Sequence, residues 1–287
     1  MFEWLRRRKE AGAAEDGLSE SVRRSEQLYD RMSSAPEVEL TVVVGPSGAS
    51  SVTFRGQAFW TTTCSIEGWR LGRLPIDRRC LMIRRRGQRE ALATYRQQLT
   101  PYSVLRVRAR LLDEPGNDPQ ALLEEVLGEG FDVELTSLAR ELQQPVVYED
   151  AALGSFELDR RLNWFSGSVR WGASPVRLNL MPDERGQIAS SLEVARGLWA
   201  NQSIWTEKVR KFSAARLLDL KNESWLDTDE APLAASDFMR KVSIESVVVD
   251  AAGACEFWLD DGALFSGHSI VVRGSVSDGL VEAEIAG

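Results

Sequence analysis

The chain has 287 residues, 43% of them apolar and 27% charged, an ordinary globular composition that suggests about two domains at ~150 residues each. No apolar run approaches the ~20 residues of a membrane helix. The start, MFEWLRRRKE, lacks the long apolar core and cleavage site of a secretory signal, so a cytoplasmic setting without a membrane partner is expected. The net charge of -8 and pI of 5.0 run against a dedicated nucleic-acid binder, for which ~9 is usual.

Residues 1–37 read as a helical or mobile leader, with Leu18, Val22, Tyr29 and Met32 at roughly helical spacing. Its apolar patch of Phe2, Trp4 and Leu5 is too short for stable membrane attachment. Residues 38–148 read as a β-rich domain. Leu40, Val42 and Val44 alternate, Gly45-Pro46-Ser47-Gly48 turns the chain, and Val52 and Phe54 resume. No lysine follows that turn, so it is no phosphate-binding P-loop. Strands are expected at 59–66 and 81–83, and Tyr95 sits in a helical turn. Leu105, Val107, Ala109 and Leu111 then line one face of a strand whose other face carries Arg106, Arg108 and Arg110. Two helices should close the domain. The first opens at Asp118-Pro119 with Leu122, Leu123, Val126 and Leu127 as its stripe, and the second runs from Asp132 through Leu135, Leu138 and Leu142. The stretch 145–150 reads as a link.

Residues 149–287 read as an α+β domain. Phe156 and Leu158, then Trp164, Val169 and Trp171, then Val176, Leu178 and Leu180 alternate with polar neighbours, which marks a three-stranded antiparallel meander. Ile188, Leu192, Ala195 and Trp199 fall at helical spacing, as do Trp205, Val209, Phe212, Ala215 and Leu218. A short helix at 236–240 precedes strands at 244–249, 255–259, 263–265, 270–273 and 280–285, with Asp260-Asp261-Gly262 as a hairpin turn. The expected fold class is therefore α+β. An N-terminal small β-barrel or sandwich is followed by two helices, then by a C-terminal antiparallel sheet with helices packed on one face.

Three features carry candidate chemistry. Asp260, Asp261 and His268 cluster in sequence, and a histidine near two carboxylates can act as a general base. The plain alternative is a packed histidine beside a turn. Arg84, Arg85 and Arg86 together with Arg106, Arg108 and Arg110 can cover one side of the barrel, with Trp60, Trp69 and Tyr102 nearby for stacking a single-stranded nucleic acid. The alternative is a solvated face paired with acids of the second domain such as Glu149, Asp150, Glu157 and Asp159. Trp258, if exposed, is a hot-spot candidate for a protein partner. Cys64, Cys80 and Cys255 have no metal-binding spacing and read as reduced, mostly buried thiols, and with one histidine no metal or other cofactor is expected.

The segments LGSFELDRRLNWFSGSVRW, AARLLDLKNESW and FWLDDGALFSGHSIVVRGSVSDGLVEAEIAG together resemble the bacterial family known as domain of unknown function 2262. The resemblance spans roughly 150–287, and WTTTCSIEGW and TPYSVLRVRARL resemble a β-rich domain that accompanies it. It implies a fold and a bacterial cytosolic setting, and it transfers no catalytic residue. By analogy with small α+β domains among immunity-type proteins of toxin systems, it implies a binding role. The leading expectation is a non-enzymatic, immunity-type binding protein whose partner is another protein. The alternatives are a hydrolase or other small-molecule enzyme centred on His268 with Asp260 or Asp261, and nucleic-acid binding by the arginine face.

Overall fold

In the computed structural model of the protein, residues 14–53, 59–226 and 230–286 are described, with side chains from residue 22 onward. Phe2, Trp4, Leu5 and Phe54 lie outside the described residues, as does the side chain of Leu18. The chain divides into two compact units, 1–144 and 145–287. Among the described residues no helix is long and apolar enough to cross a membrane.

The first unit begins with helix α1 (Ala14–Ser34), followed by β1 (Glu37–Val52), β2 (Trp60–Leu71) and β3 (Leu81–Gly87). Helix α2 (Arg89–Gln98), β4 (Val104–Leu112), β5 (Gln120–Glu129) and α3 (Val133–Gln143) complete it. The five strands close into a barrel in the order β1-β2-β3-β5-β4, with β3 and β5 parallel and the other pairs antiparallel. Period-two alternation places Leu40, Val42, Val44, Cys64, Ile66, Leu81, Ile83, Val107 and Leu123 inside. Leu99, at the end of α2, joins that core, so this helix stoppers one end of the barrel. Helix α3 packs Leu135, Leu138 and Ala139 on Val43 from outside, and Asp132 caps it by accepting from the N–H groups of Glu134 and Leu135.

Two expectations for this unit are corrected. The stretch 120–129 forms the strand β5 instead of a helix. Its Ala121 and Leu123 satisfy period two as well as the helical period, and closing the barrel requires a fifth strand between β3 and β4. Gly45-Pro46-Ser47-Gly48 does not separate two strands. It is an irregularity within the single bent strand β1, whose pairing with β2 slips between Val44 and Ala49.

The second unit is an eight-stranded sheet in the order β13-β12-β11-β10-β9-β8-β7-β6. Its strands are β6 (Val147–Asp150), β7 (Gly154–Asp159), β8 (Trp164–Trp171), β9 (Ser174–Leu180), β10 (Ser243–Val249), β11 (Ala254–Asp260), β12 (Ser269–Ser275) and β13 (Gly279–Ala286). Between β9 and β10 run α4 (Ala189–Ala200), α5 (Gln202–Ser224) and α6 (Ala235–Lys241). This helical crossover brings β10 back parallel to β9, while every other neighbouring pair is antiparallel. Val176, Leu178, Val247, Val249, Phe257, Ile270 and Val272 share one core with Leu192, Leu198, Trp205, Val209 and Leu217. Trp171 meets Trp199 edge-on at 4.6 Å, and Trp205 stacks on Phe257 at 5.8 Å.

Here too the strands differ from expectation in two places. The expected link at 145–150 ends in the edge strand β6, and 263–265 is part of the turn between β11 and β12. That turn cannot continue as a strand, because Gly262, Ala263, Ser266 and Gly267 all have positive φ.

Candidate functional site

The arginine-rich face forms because β3 and β4 both flank β5. Alternation sends Leu81 and Ile83 inward and Arg84 and Arg86 outward on β3, and sends Arg106, Arg108 and Arg110 outward on β4. The structure thus brings five of the six predicted arginines onto one outer surface. Arg85 points the other way, over the Tyr95 ring at 4.8 Å, and donates to the carbonyls of Leu123 and Glu124.

Most of these guanidinium groups are already engaged. Arg108 donates to Glu125 at 2.9 Å and lies within 4 Å of Glu37 and Glu39. Arg110 donates to Glu124 at 2.9 Å and lies 3.6 Å from Glu37. Helix α1 takes Arg86: Glu26 accepts from it at 2.7 Å, Ser25 at 3.1 Å, and the Tyr29 ring lies 3.5 Å from its guanidinium carbon. Elsewhere Arg70 pairs with Asp132 and Glu134, and Arg79 with Asp77 and Asp113. Residues 1–144 contain 21 basic and 21 acidic side chains, against 14 and 22 in residues 145–287. The paired arginines of the first unit thus take their carboxylates from that same unit. Asp150 of the second unit pairs with Arg196 of that same unit.

Arg84 stands apart. It is half-buried, its Nε donates to Gln120 Oε1 at 3.2 Å, and among the described residues no carboxylate lies within salt-bridge distance of it. Burial lowers its pKa, and Arg86 beside it adds to that. Burial also pushes the Tyr29 phenol up to about 12; Thr61 lies beside the hydroxyl, but among the described residues no partner meets it at good hydrogen-bond geometry. Of the proposed stacking residues, Trp69 is buried with its Nε1 donating to Arg79 O, so it is withdrawn from any ligand. Trp60 is half-buried under Arg89, and Phe59 lies under Arg86.

In the second unit Asp261 is 4% exposed. Its carboxylate accepts from three backbone N–H groups, those of Ala263 (3.0 Å), Phe265 (2.6 Å) and Gly267 (3.2 Å). Asp260 accepts from Gly262 N. The His268 ring is half-buried and stands edge-on to Trp225 at 5.7 Å. Among the described residues no hydrogen bond joins it to either aspartate, which serve the turn that leads into β12. Trp258 is half-buried on the sheet face away from the helices and donates to Glu256, which pairs with Arg273. Cys64 and Cys255 are buried thiols pushed up to about 12 by desolvation, whereas Cys80 is exposed. Among the described residues no cluster of three metal-ligating side chains occurs.

Sequence reasoning missed two features. Glu26 and Tyr29 of α1 complete the arginine face, with no signal beyond their presence on a helix. Phe131 and Val133 are 92% and 88% exposed at the start of α3, and the second of these neighbours was visible only as an apolar residue out of step with Leu135 and Leu138.

Residues 150–285 match the family described as "Uncharacterized protein conserved in bacteria (DUF2262)". The second unit belongs to that family. Residues 24–142 match a separate family described as "Domain of unknown function (DUF7021)", whose span begins inside α1 and takes in the whole barrel. No curated protein matches the chain. Among solved structures, one similar chain is a small single-stranded DNA-binding protein from Streptomyces coelicolor, with 9% identity and a TM-score of 0.22 over 35% of this chain and 94% of that one. Another is from a replication protein A heterotrimer bound to single-stranded DNA, with 8% identity and a TM-score of 0.25 over 51% of this chain and 38% of that one. The barrel matched by the second family is closed by five strands and carries a helix between β3 and β4.

Proposed function

We propose that the chain is a non-enzymatic cytosolic binding protein that acts through macromolecular contacts, with another protein as its partner. The observation that carries this reading is the internal neutralisation of the arginine face. A surface whose guanidinium groups already hold Glu26, Glu37, Glu124 and Glu125 releases few counterions on meeting a phosphate backbone, and counterion release is what drives most binding to nucleic acid. Phe131 and Val133, by contrast, offer the apolar anchor that protein interfaces use. The aspartates beside His268 are engaged by the backbone, which speaks against a catalytic dyad there.

The test is capture from native bacterial cytosol on the immobilised full-length chain, with Phe131→Asp/Val133→Asp in parallel. The wild type is expected to retain a protein in stoichiometric amount, and the double variant to lose it at unchanged melting temperature. Recovery of no stoichiometric protein, or equal recovery by both, overturns the reading.

A second reading, single-stranded nucleic-acid binding, draws support from Arg86 over the Phe59 ring and Arg89 over the Trp60 ring. It predicts that a labelled 30-nucleotide single strand binds with affinity that falls steeply with salt.

A further inference from the structure

Helix α1 crosses the outer face of the barrel and leaves an opening beside it. Leu28 and Arg31 of α1, Arg84 of β3, Leu112, Gln120 and the 113–119 loop line a cleft of about 340 Å³. That is the size of a small-ligand pocket, for which ~300–1,000 Å³ is usual.

The chemistry of the cleft centres on Arg84. Among the described residues of the first unit, the other half-buried arginines, Arg70, Arg85, Arg86, Arg108 and Arg110, each have a carboxylate within 4 Å. Arg84 has none. Its Nε is spent on Gln120 Oε1, and Gln120 Nε2 reaches Asp118 O, so the guanidinium is held at one edge. Its two terminal nitrogens have no described hydrogen-bond acceptor, and a guanidinium fixed at one edge offers them as a ready fork to an oxyanion. The nearby acids do not fill this role. Glu114 pairs with Arg31, and Glu124 with Arg110 and Arg85. The loop contributes Glu114, held by Arg31, and Asp118 to the lining, which disfavours an extended polyanion and favours a compact ligand with a single oxyanion.

We propose that this cleft binds a small ligand bearing one compact oxyanion, a phosphate monoester or a carboxylate, seated on the terminal nitrogens of Arg84. The proposal does not depend on the protein-partner reading, because it concerns a different surface from Phe131 and Val133.

The experiment is titration calorimetry of the full-length chain at low ionic strength, with inorganic phosphate as one probe and acetate as the other. Binding of either probe by the wild type, weakened tenfold or more in Arg84→Gln, is the expected result, since this change removes a charge-assisted pair. The probe that binds more tightly identifies the oxyanion. Arg106→Gln, at an exposed arginine of the same face, should leave the affinity within about twofold, and an equal loss there shows general surface attraction and overturns the site. Asn117→Asp places a negative charge on the loop without touching the barrel, and it should weaken binding at least threefold even if Arg84→Gln fails to fold. No heat with either probe, or unchanged affinity in a folded Arg84→Gln together with Asn117→Asp, refutes the proposal.

Discussion

Replacing Asp261 by alanine tests whether this carboxylate is an organiser of the turn between β11 and β12. Three backbone N–H groups point at it, and they are not equivalent. Phe265 is fully buried, so its N–H has no access to water once the acceptor is gone, and this costs about 1–3 kcal/mol. Ala263 and Gly267 are exposed, so water replaces the lost acceptor and each costs about 0.5–1 kcal/mol. The expected total is about 2–5 kcal/mol, a large part of the ~5–15 kcal/mol by which domains are stable. Asp261→Asn keeps one acceptor oxygen and should fall between the variant and the wild type. Urea unfolding read by tryptophan fluorescence suits the measurement, because Trp225 stands against both Phe265 and His268 and reports on this turn directly. A loss below about 0.5 kcal/mol in Asp261→Ala at unchanged denaturant slope refutes the organising role and returns the aspartate to the list of candidate catalytic groups.

The neighbouring Ala263 sits at φ 65°, where a Cβ is penalised, so Ala263→Gly should raise stability by about 0.5–1 kcal/mol in the same unfolding assay; a loss would show that the strain is absent. Tyr29→Phe removes a buried hydroxyl that no described residue meets at good hydrogen-bond geometry and should leave the first unit as stable as before or up to about 1 kcal/mol more so; destabilisation in thermal unfolding would mean that the neighbouring Thr61 satisfies it. The Arg196 guanidinium and the N–H groups of Leu153 and Ala152 hold the Asp150 carboxyl below its ordinary range. A depressed folded pKa means that the unfolded chain binds the proton first, so the stabilisation is present above ~4 and fades as pH falls through the folded value. The melting-temperature gap between wild type and Asp150→Asn should accordingly be constant from about pH 7 to 5 and close below ~4; a gap independent of pH would refute the assignment. A Cβ on Gly167 would lie 2.4 Å from Ser155 O and 2.7 Å from Phe156 Cδ1, both on the neighbouring strand, so Gly167→Ala should cost more than about 2 kcal/mol in urea unfolding.

The two halves of the chain differ in how much of them sequence alone discloses. In the second unit the meander and both long helices are legible because their apolar residues bury against one another within a continuous core, and burial is what periodicity records. The first unit defeats periodicity at β5. The residues 121–127, ALLEEVL, satisfy a helix with Leu122, Leu123, Val126 and Leu127, and satisfy a strand with Ala121 and Leu123. The Asp118-Pro119 opening then tips the balance towards a helix. What decides is a requirement no local pattern carries. Without 120–129 between them, β3 and β4 would each have an unpaired edge, and the barrel could not close.

The candidate surface was half legible for a related reason. The crowding of arginines can be read directly, but the worth of a charged face depends on which charges oppose it. Their mates lie far along the chain: Glu26 is 60 residues from Arg86, and Glu124 is 14 from Arg110. Pairs across β4 and β5 follow from antiparallel register, in which Arg108 faces Glu125, whereas the α1 contribution follows only from where a helix docks. Once these mates are assigned, four of the six crowded arginines are paired, and among the described residues Arg106 is left exposed to solvent and Arg84 half-buried without a counter-charge. Arg84 is informative because most of its neighbours are paired: in an unpaired cluster it would be one of many solvated groups, and in a largely neutralised one it is the half-buried cation that stands out.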